Sequence, residues 1–150
     1  MPRTLWERAV FLLSRREYSK AELTARLKRY EMDSDEEIES LVQKLIDLDY
    51  LNESRYAKSR ARMQAERYGN RKIVADLKSH GVLDDAAIEN SLNEIEDESA
   101  RCFAVWQKKF NCAPADSKEL AKQGRFLCSR GFPSAMVFAL LKKVANGEKE

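Results

Sequence analysis

Apolar residues recur every three or four positions along almost the whole chain, which is the period of helices that bury one face. Trp6, Ala9, Val10 and Leu13 make the first stripe, and Leu23 with Leu27 make the second. A third runs through Ile38, Leu41, Val42, Leu45 and Leu48. Ser19 with Glu22 and Ser34 with Glu37 have capping-box spacing, in which a serine oxygen takes an unpaired helix N–H while the glutamate reaches back. Helices are therefore expected near 4–16, 20–30 and 35–48. Further on, Tyr56, Ala57 and Met63 precede a break at Gly69-Asn70, and Ile73 and Leu77 lead to Gly81 as a left-handed cap. A helix restarting after Asp84 carries Ile88, Leu92 and Ile95. Phe103, Val105, Trp106 and Phe110 follow, then a loop with Pro114, a helix capped by Asp116 and Glu119 that stops at Gly131, and a last helix. That helix carries Val137, Leu140, Leu141 and Val144, with Pro133 placed in its first turn. No segment alternates as a strand does.

These stripes repeat at a spacing of about fifty residues. Tyr18, Ser19, Leu27, Asp35, Ile38, Glu39 and Leu45 fall opposite Tyr68, Gly69, Leu77, Asp85, Ile88, Glu89 and Ile95. Leu77, Ser79 and Gly81 in turn fall opposite Leu127, Ser129 and Gly131. The expectation is an all-α chain of three tandem three-helix repeats, 1–50, 51–98 and 99–150, in an elongated curved array. Repetition of this kind builds a long surface rather than one deep pocket, so the natural ligand is itself elongated.

Composition narrows the chemistry. Charged residues make up 35% and apolar residues 43%, enough for a core under a strongly solvated surface. No apolar run reaches the roughly 18 residues of a membrane span, and the start Met-Pro-Arg-Thr-Leu-Trp leads into a charged helix rather than a signal core, so a cytoplasmic location is expected. Cys102, Cys112 and Cys128 form no CxxC pair and read as buried free thiols. His80 is the only histidine, which disfavours a hydrolytic triad or a zinc centre; it is placed at a helix C-terminus. Five glycines include no phosphate-binding loop. Neither catalytic residues, metal ligands nor a cofactor are expected.

Charge follows the repeat: residues 1–30 carry a net +5, 31–54 a net −8, 55–80 a net +6, 81–99 a net −7 and 100–150 a net +6. Such blocks suit a charged partner, or else salt bridging between neighbouring helices. The basic blocks are compatible with weak, salt-sensitive, non-specific DNA binding. Asp35-Glu36-Glu37 at the start of the third helix makes a poor recognition helix for a major groove. The helical spacing of Trp6, Tyr18, Tyr30, Tyr50, Tyr56, Tyr68, Phe103, Trp106, Phe126 and Phe132 assigns them to cores before base stacking.

Four ordered stretches carry a family resemblance. Arg16-Glu17-Tyr18-Ser19-Lys20-Ala21-Glu22-Leu23 has the form R-x-x-S-x-x-E-L, and Tyr50-Leu51-Asn52-Glu53-Ser54-Arg55-Tyr56-Ala57 is similar to Y-L-D-D-x-R-Y-A, with Asn52 and Glu53 in place of paired aspartates. Gly69, Ile73, Leu77, Gly81 and Val82 keep a third spacing, and Arg125-Phe126-Leu127-Cys128-Ser129-Arg130-Gly131-Phe132 resembles R-x-L-x-x-R-G-F. Together they make the chain resemble the RecX family, bacterial regulators of the RecA recombinase. The resemblance implies a non-enzymatic protein that lies in the groove of the RecA filament on single-stranded DNA. There it is expected to inhibit ATP hydrolysis, strand exchange and filament extension. An array with capped ends needs no partner copy to close it, so a monomer is expected. The alternative is a stand-alone DNA-binding protein that acts by competing for DNA. Within the motifs, Arg16, Lys20, Arg55, Arg71, Lys72, Arg125 and Arg130 are the expected partner contacts; for Arg16, Arg55 and Arg130 the competing role is an ion pair between helices.

Overall fold

Hydrogen bonds at helix starts decide where this chain turns. The computed structural model describes residues 3–30 and 33–147; Met1 and Pro2, read above as leading into the first helix, lie outside them. Among the described residues there are nine helices and no strand: α1 Leu5–Arg15, α2 Lys20–Lys28, α3 Asp35–Asp47, α4 Glu53–Ala65, α5 Asn70–Ser79, α6 Asp85–Asn93, α7 Glu98–Lys109, α8 Ser117–Ser129 and α9 Ser134–Ala145. In chain order they form three successive triplets, as the repeat predicts.

The capping box of Ser19 and Glu22 is complete, and Ser34 Oγ accepts from the Glu37 N–H at 3.2 Å. Asp116 Oδ1 accepts from Glu119 N–H at 2.8 Å. Thr4 and Asp97 cap α1 and α7 in the same way, although neither was singled out on the sequence. Pro133 departs from expectation. It is the residue before α9, with ψ 140°, so the helix begins one residue later at Ser134. Proline's fixed φ fits either place, and only ψ distinguishes them.

The chain divides into two compact units, one made of Met1–Arg60 with Leu77–Ser91 and the other of Ala61–Asp76 with Leu92–Glu150. In the first, Leu5, Ala9 and Leu12 of α1, Leu23 and Leu27 of α2, and Ile38, Val42 and Leu45 of α3 close over Leu51. In the second, Cys102, Val105 and Trp106 of α7 meet Leu127, Phe132 and the α9 residues Val137, Leu140 and Leu141. Gln123 is buried there without cost because both ends of its amide are used. Its oxygen accepts from Trp106 Nε1 at 2.8 Å and its nitrogen donates to the Cys112 carbonyl at 3.1 Å.

Three expectations about burial need correction. Met63 is 59% exposed, since the last turn of α4 runs past the buried Tyr56, Ala57 and Ala61. Periodicity identifies a face but not how far packing extends along it. Tyr50 and Leu48 are about half exposed, in the segment that leaves α3, with the Tyr50 ring resting against Trp6 at 6.2 Å. Of the three thiols Cys102 is buried, Cys128 is partly covered and Cys112 is exposed. Cys112 lies in the loop after α7, where its carbonyl rather than its side chain serves the fold.

Candidate partner-binding surface

In the first unit the basic motif residues surround a joint between α2 and the turn after α5. Gly81 has φ +94°, and a Cβ there would lie 2.6 Å from that of Ala21, so the turn closes onto the start of α2 with no room for a side chain. Ser19 Oγ donates to the His80 carbonyl at 2.5 Å, which gives this histidine's backbone a joining role. Glu53 of α4 adds its carboxylate, accepting from the Lys20 N–H at 3.2 Å at the positive end of α2.

Arg55 locks the same region. Its Nε donates to Glu17 Oε2 at 3.1 Å, and its other nitrogens reach Asp49 Oδ2 at 3.0 Å and the Asp49 carbonyl at 2.7 Å. Burial opposes the charged form of Arg55, but Glu17 and then Asp49 outweigh it and raise its pKa. Asp49 is held below the usual carboxylate range by the hydrogen bond from Asn52 and then by Arg55. Asn52 also accepts from the Arg55 N–H at 3.0 Å, so it caps α4 where the family pattern has aspartate. Arg16 pairs with Glu22 at 3.3 Å and lies 3.7 Å above the Tyr18 ring. Lys20, by contrast, is exposed and lines a cleft with Thr24, Lys28 and the 75%-exposed Leu83.

The second unit holds the repeat of this joint. Gly131 has φ +96°, and a Cβ on Gly69 would come within 2.6 Å of the Gly131 carbonyl. The Gly69 N–H donates to the Arg130 carbonyl at 2.8 Å, and Glu98 Oε2 accepts from the Asn70 N–H at 2.7 Å, as Glu53 does for Lys20. Arg101, which the sequence reading missed, is the clamp here. It is 4% exposed and donates to the carbonyls of Tyr68 and Glu96 at 2.8 Å each and to the Asn70 side chain. Desolvation lowers its pKa against the nearby Glu98, Asp97 and Glu96.

Lys72 and Arg130 meet above one ring, each cation 5.5 Å from the centre of Tyr68, with Arg67 at the same distance. Arg130 also lies 4.9 Å from the Phe126 ring, which Lys109 approaches to 5.4 Å. Arg71 and Arg125 are exposed on α5 and α8. So Arg16 and Arg55 converge on Glu17 in one unit, Lys72 and Arg130 converge on Tyr68 in the other, and Lys20, Arg71 and Arg125 project from helix surfaces. Arg67, Lys108 and Lys109 were not among the expected contacts. The adjacent lysines at the end of α7, followed by Phe110, were the available signal.

Comparison with known proteins decides the family. A model of the RecX first three-helix domain matches residues 6–45, and one of the RecX third three-helix domain matches residues 96–141. The regulatory protein RecX of Herminiimonas arsenicoxydans is 37% identical over 145 residues, covering 97% of this chain and 95% of its own. The chain belongs to the RecX family. The regulatory protein RecX of Pseudomonas entomophila is 40% identical over 136 residues, 89% of this chain and 86% of the relative. The fold agrees with the crystal structure of RecX from Lactobacillus salivarius, at a TM-score of 0.78 with 24% identity and 95% of each chain covered. Relatives of this RecX-family chain are thus regulatory proteins. Among its described residues no cluster of three or more His, Cys, Asp or Glu could hold a metal, and no helix is long and apolar enough to cross a membrane.

Proposed function

We propose that this chain is a non-enzymatic negative regulator of RecA, binding the RecA filament on single-stranded DNA and inhibiting ATP hydrolysis, strand exchange and filament extension. The observation that carries the reading is RecX-family membership across 97% of the chain. A repeated fold supports it, because several weak contacts linked in one chain add up to firm binding without a deep pocket. In this reading the protein works as a cytoplasmic monomer, with Lys20, Arg71, Lys72, Arg125 and Arg130 meeting the filament. Arg16 and Arg55 belong to the part that the first unit supplies, and their ion pairs hold its geometry.

The test is RecA ATP hydrolysis on saturating single-stranded DNA as the protein is titrated in, beside its own DNA affinity in the same buffer. Inhibition well below the concentration that binds DNA is the expected result. Inhibition that begins only where bare DNA is already covered would replace this reading with competition for DNA.

A further inference from the structure

The cations gathered around Tyr68 and Phe126 are not neutralised as Arg16 and Arg55 of the first unit are. Arg16 and Arg55 each touch a carboxylate within 3.3 Å. No ion pair within 4 Å is formed by Arg67, Lys72, Lys108, Lys109 or Arg130 among the described residues. Four of these five are held instead over the rings of Tyr68 and Phe126. A ring face attracts a cation but does not cancel its charge, so cations gathered on two rings repel one another until an anion joins them. Phe126 is itself fixed, edge-on to Phe110 at 5.4 Å and 88°. The Phe126 ring is therefore in place before any ligand arrives.

Arg67, Lys108, Lys109 and Arg130 line a cleft of about 300 Å³ whose floor is Val105 and Phe126. Its floor is apolar and its rim cationic. The positive region is also short. Glu66 stands on the rim, and Arg101 ties the acidic run 96–98 to the neighbouring turn through the Tyr68 and Glu96 carbonyls, as Glu98 does through the Asn70 N–H. A nucleic-acid strand could stack a base on Phe126, but its regularly spaced phosphates would also meet Glu66. A short acidic stretch of polypeptide with one apolar side chain avoids that penalty, because its carboxylates can be spaced away from Glu66.

We infer that this cleft is a docking site for an acidic protein segment, its apolar side chain on Val105 and Phe126 and its carboxylates on Arg67, Lys109 and Arg130. The identity of the protein that supplies the segment rests on the function proposed above; the cleft's preference for a peptide does not. The experiment uses the full chain and a fluorescein-labelled peptide Asp-Asp-Leu-Asp-Asp, followed by polarisation, with an oligothymidylate of equal net charge as competitor. The peptide is expected to bind, and the oligothymidylate to displace it poorly. Replacing the central Leu by Ser, or making Lys109→Glu or Arg67→Glu, each weakens peptide binding by about tenfold or more. Both substituted residues are exposed, so their helical content and melting temperature should match the parent.

The same variants should need more protein to inhibit RecA, and their oligothymidylate affinity should fall by less than their peptide affinity. Equal binding of the Leu and Ser peptides, or displacement by oligothymidylate at equal charge concentration, would overturn the inference in favour of an unspecific or nucleic-acid site. If the parent fails to inhibit RecA yet holds the peptide, the filament reading falls and the cleft stands. If the parent inhibits but the peptide does not bind, the cleft falls and the filament reading stands.

Discussion

At the scale of single residues, the motif positions separate into those that hold the fold and those that face outward. Leu77 has no exposed surface, whereas Arg71, six residues earlier, is exposed on the same helix. Leu77→Ala should cost about 2–5 kcal/mol through the cavity it leaves, and Arg71→Glu should stay within about 0.5 kcal/mol while weakening partner binding. Urea unfolding of the two variants checks this, and equal losses would make Arg71 structural. Asp49 allows a test of charge alone. It has φ +62°, a conformation asparagine also accepts, so Asp49→Asn removes the carboxylate without changing the turn. Asn52 and then Arg55 hold the Asp49 pKa below 3.8 in the folded chain. A depressed folded pKa contributes stability that is present above the unfolded value and disappears as pH falls through the folded one. The parent should therefore lose more stability than Asp49→Asn as pH drops below about 3.8, and parallel losses would show that the carboxylate is not linked to folding. The pair Arg55 and Glu17 shows why motif reading stops short at this scale. Both residues are visible in the sequence, but that they meet at 3.1 Å depends on packing between segments far apart in the chain.

At the scale of helices and their junctions, glycines report which contacts lie between backbones and which between side chains. A Cβ at Gly69 would meet the carbonyl carbon and oxygen of Gly131 at 2.6 Å, and neither can move unless the joint opens. A Cβ at Gly124 would meet only the far edge of the Phe138 ring, at 2.7 Å, and that ring is 45% exposed and free to swing outward. Gly69→Ala should then destabilise by about 1–3 kcal/mol, the usual range for overpacking. Gly124→Ala should be close to neutral, because a gain of about 1 kcal/mol in helix propensity offsets the displaced ring. Thermal melts of both variants decide it, and a large loss at Gly124 would mean the ring has nowhere to go. The helices themselves were legible in the sequence, because the caps Ser19, Ser34 and Asp116 and the left-handed Gly81 and Gly131 are local signals. Gly69 was legible only as a break. Its second purpose, donating to the Arg130 carbonyl, joins positions far apart in the chain and leaves no local trace. The candidate cluster was half legible for the same reason: Lys72 and Arg130 are named by the motifs, while Arg67, Lys108 and Lys109 join them only once Tyr68 and Phe126 are placed.

At the scale of the molecule, the sequence divides in three and compactness divides in two. The middle repeat is shared, since α4, α5 and α6 each pass from one unit into the other, at Arg60–Ala61, at Asp76–Leu77 and at Ser91–Leu92. Each unit also has its own apolar cluster, one centred on α1 to α3 and the other on α7 to α9. Separate apolar clusters imply local opening at different free energies, which native-state hydrogen exchange resolves helix by helix. Leu23 and Leu127 are matched probes, both without exposed surface and one in each core. Leu23→Ala should speed amide exchange in α1 to α3 with little change in α7 to α9, and Leu127→Ala should do the reverse. The helices α4, α5 and α6 should respond to both, because each contributes residues to the two units. Uniform acceleration over all nine helices in either variant would mean that the chain opens only as a whole. In that case a partner bound to the second unit would stabilise the first by the same amount, whereas separate opening confines its effect to the helices around the contact. Exchange measured with the acidic peptide bound therefore distinguishes a regulator that grips its partner one unit at a time from one that must engage it all at once.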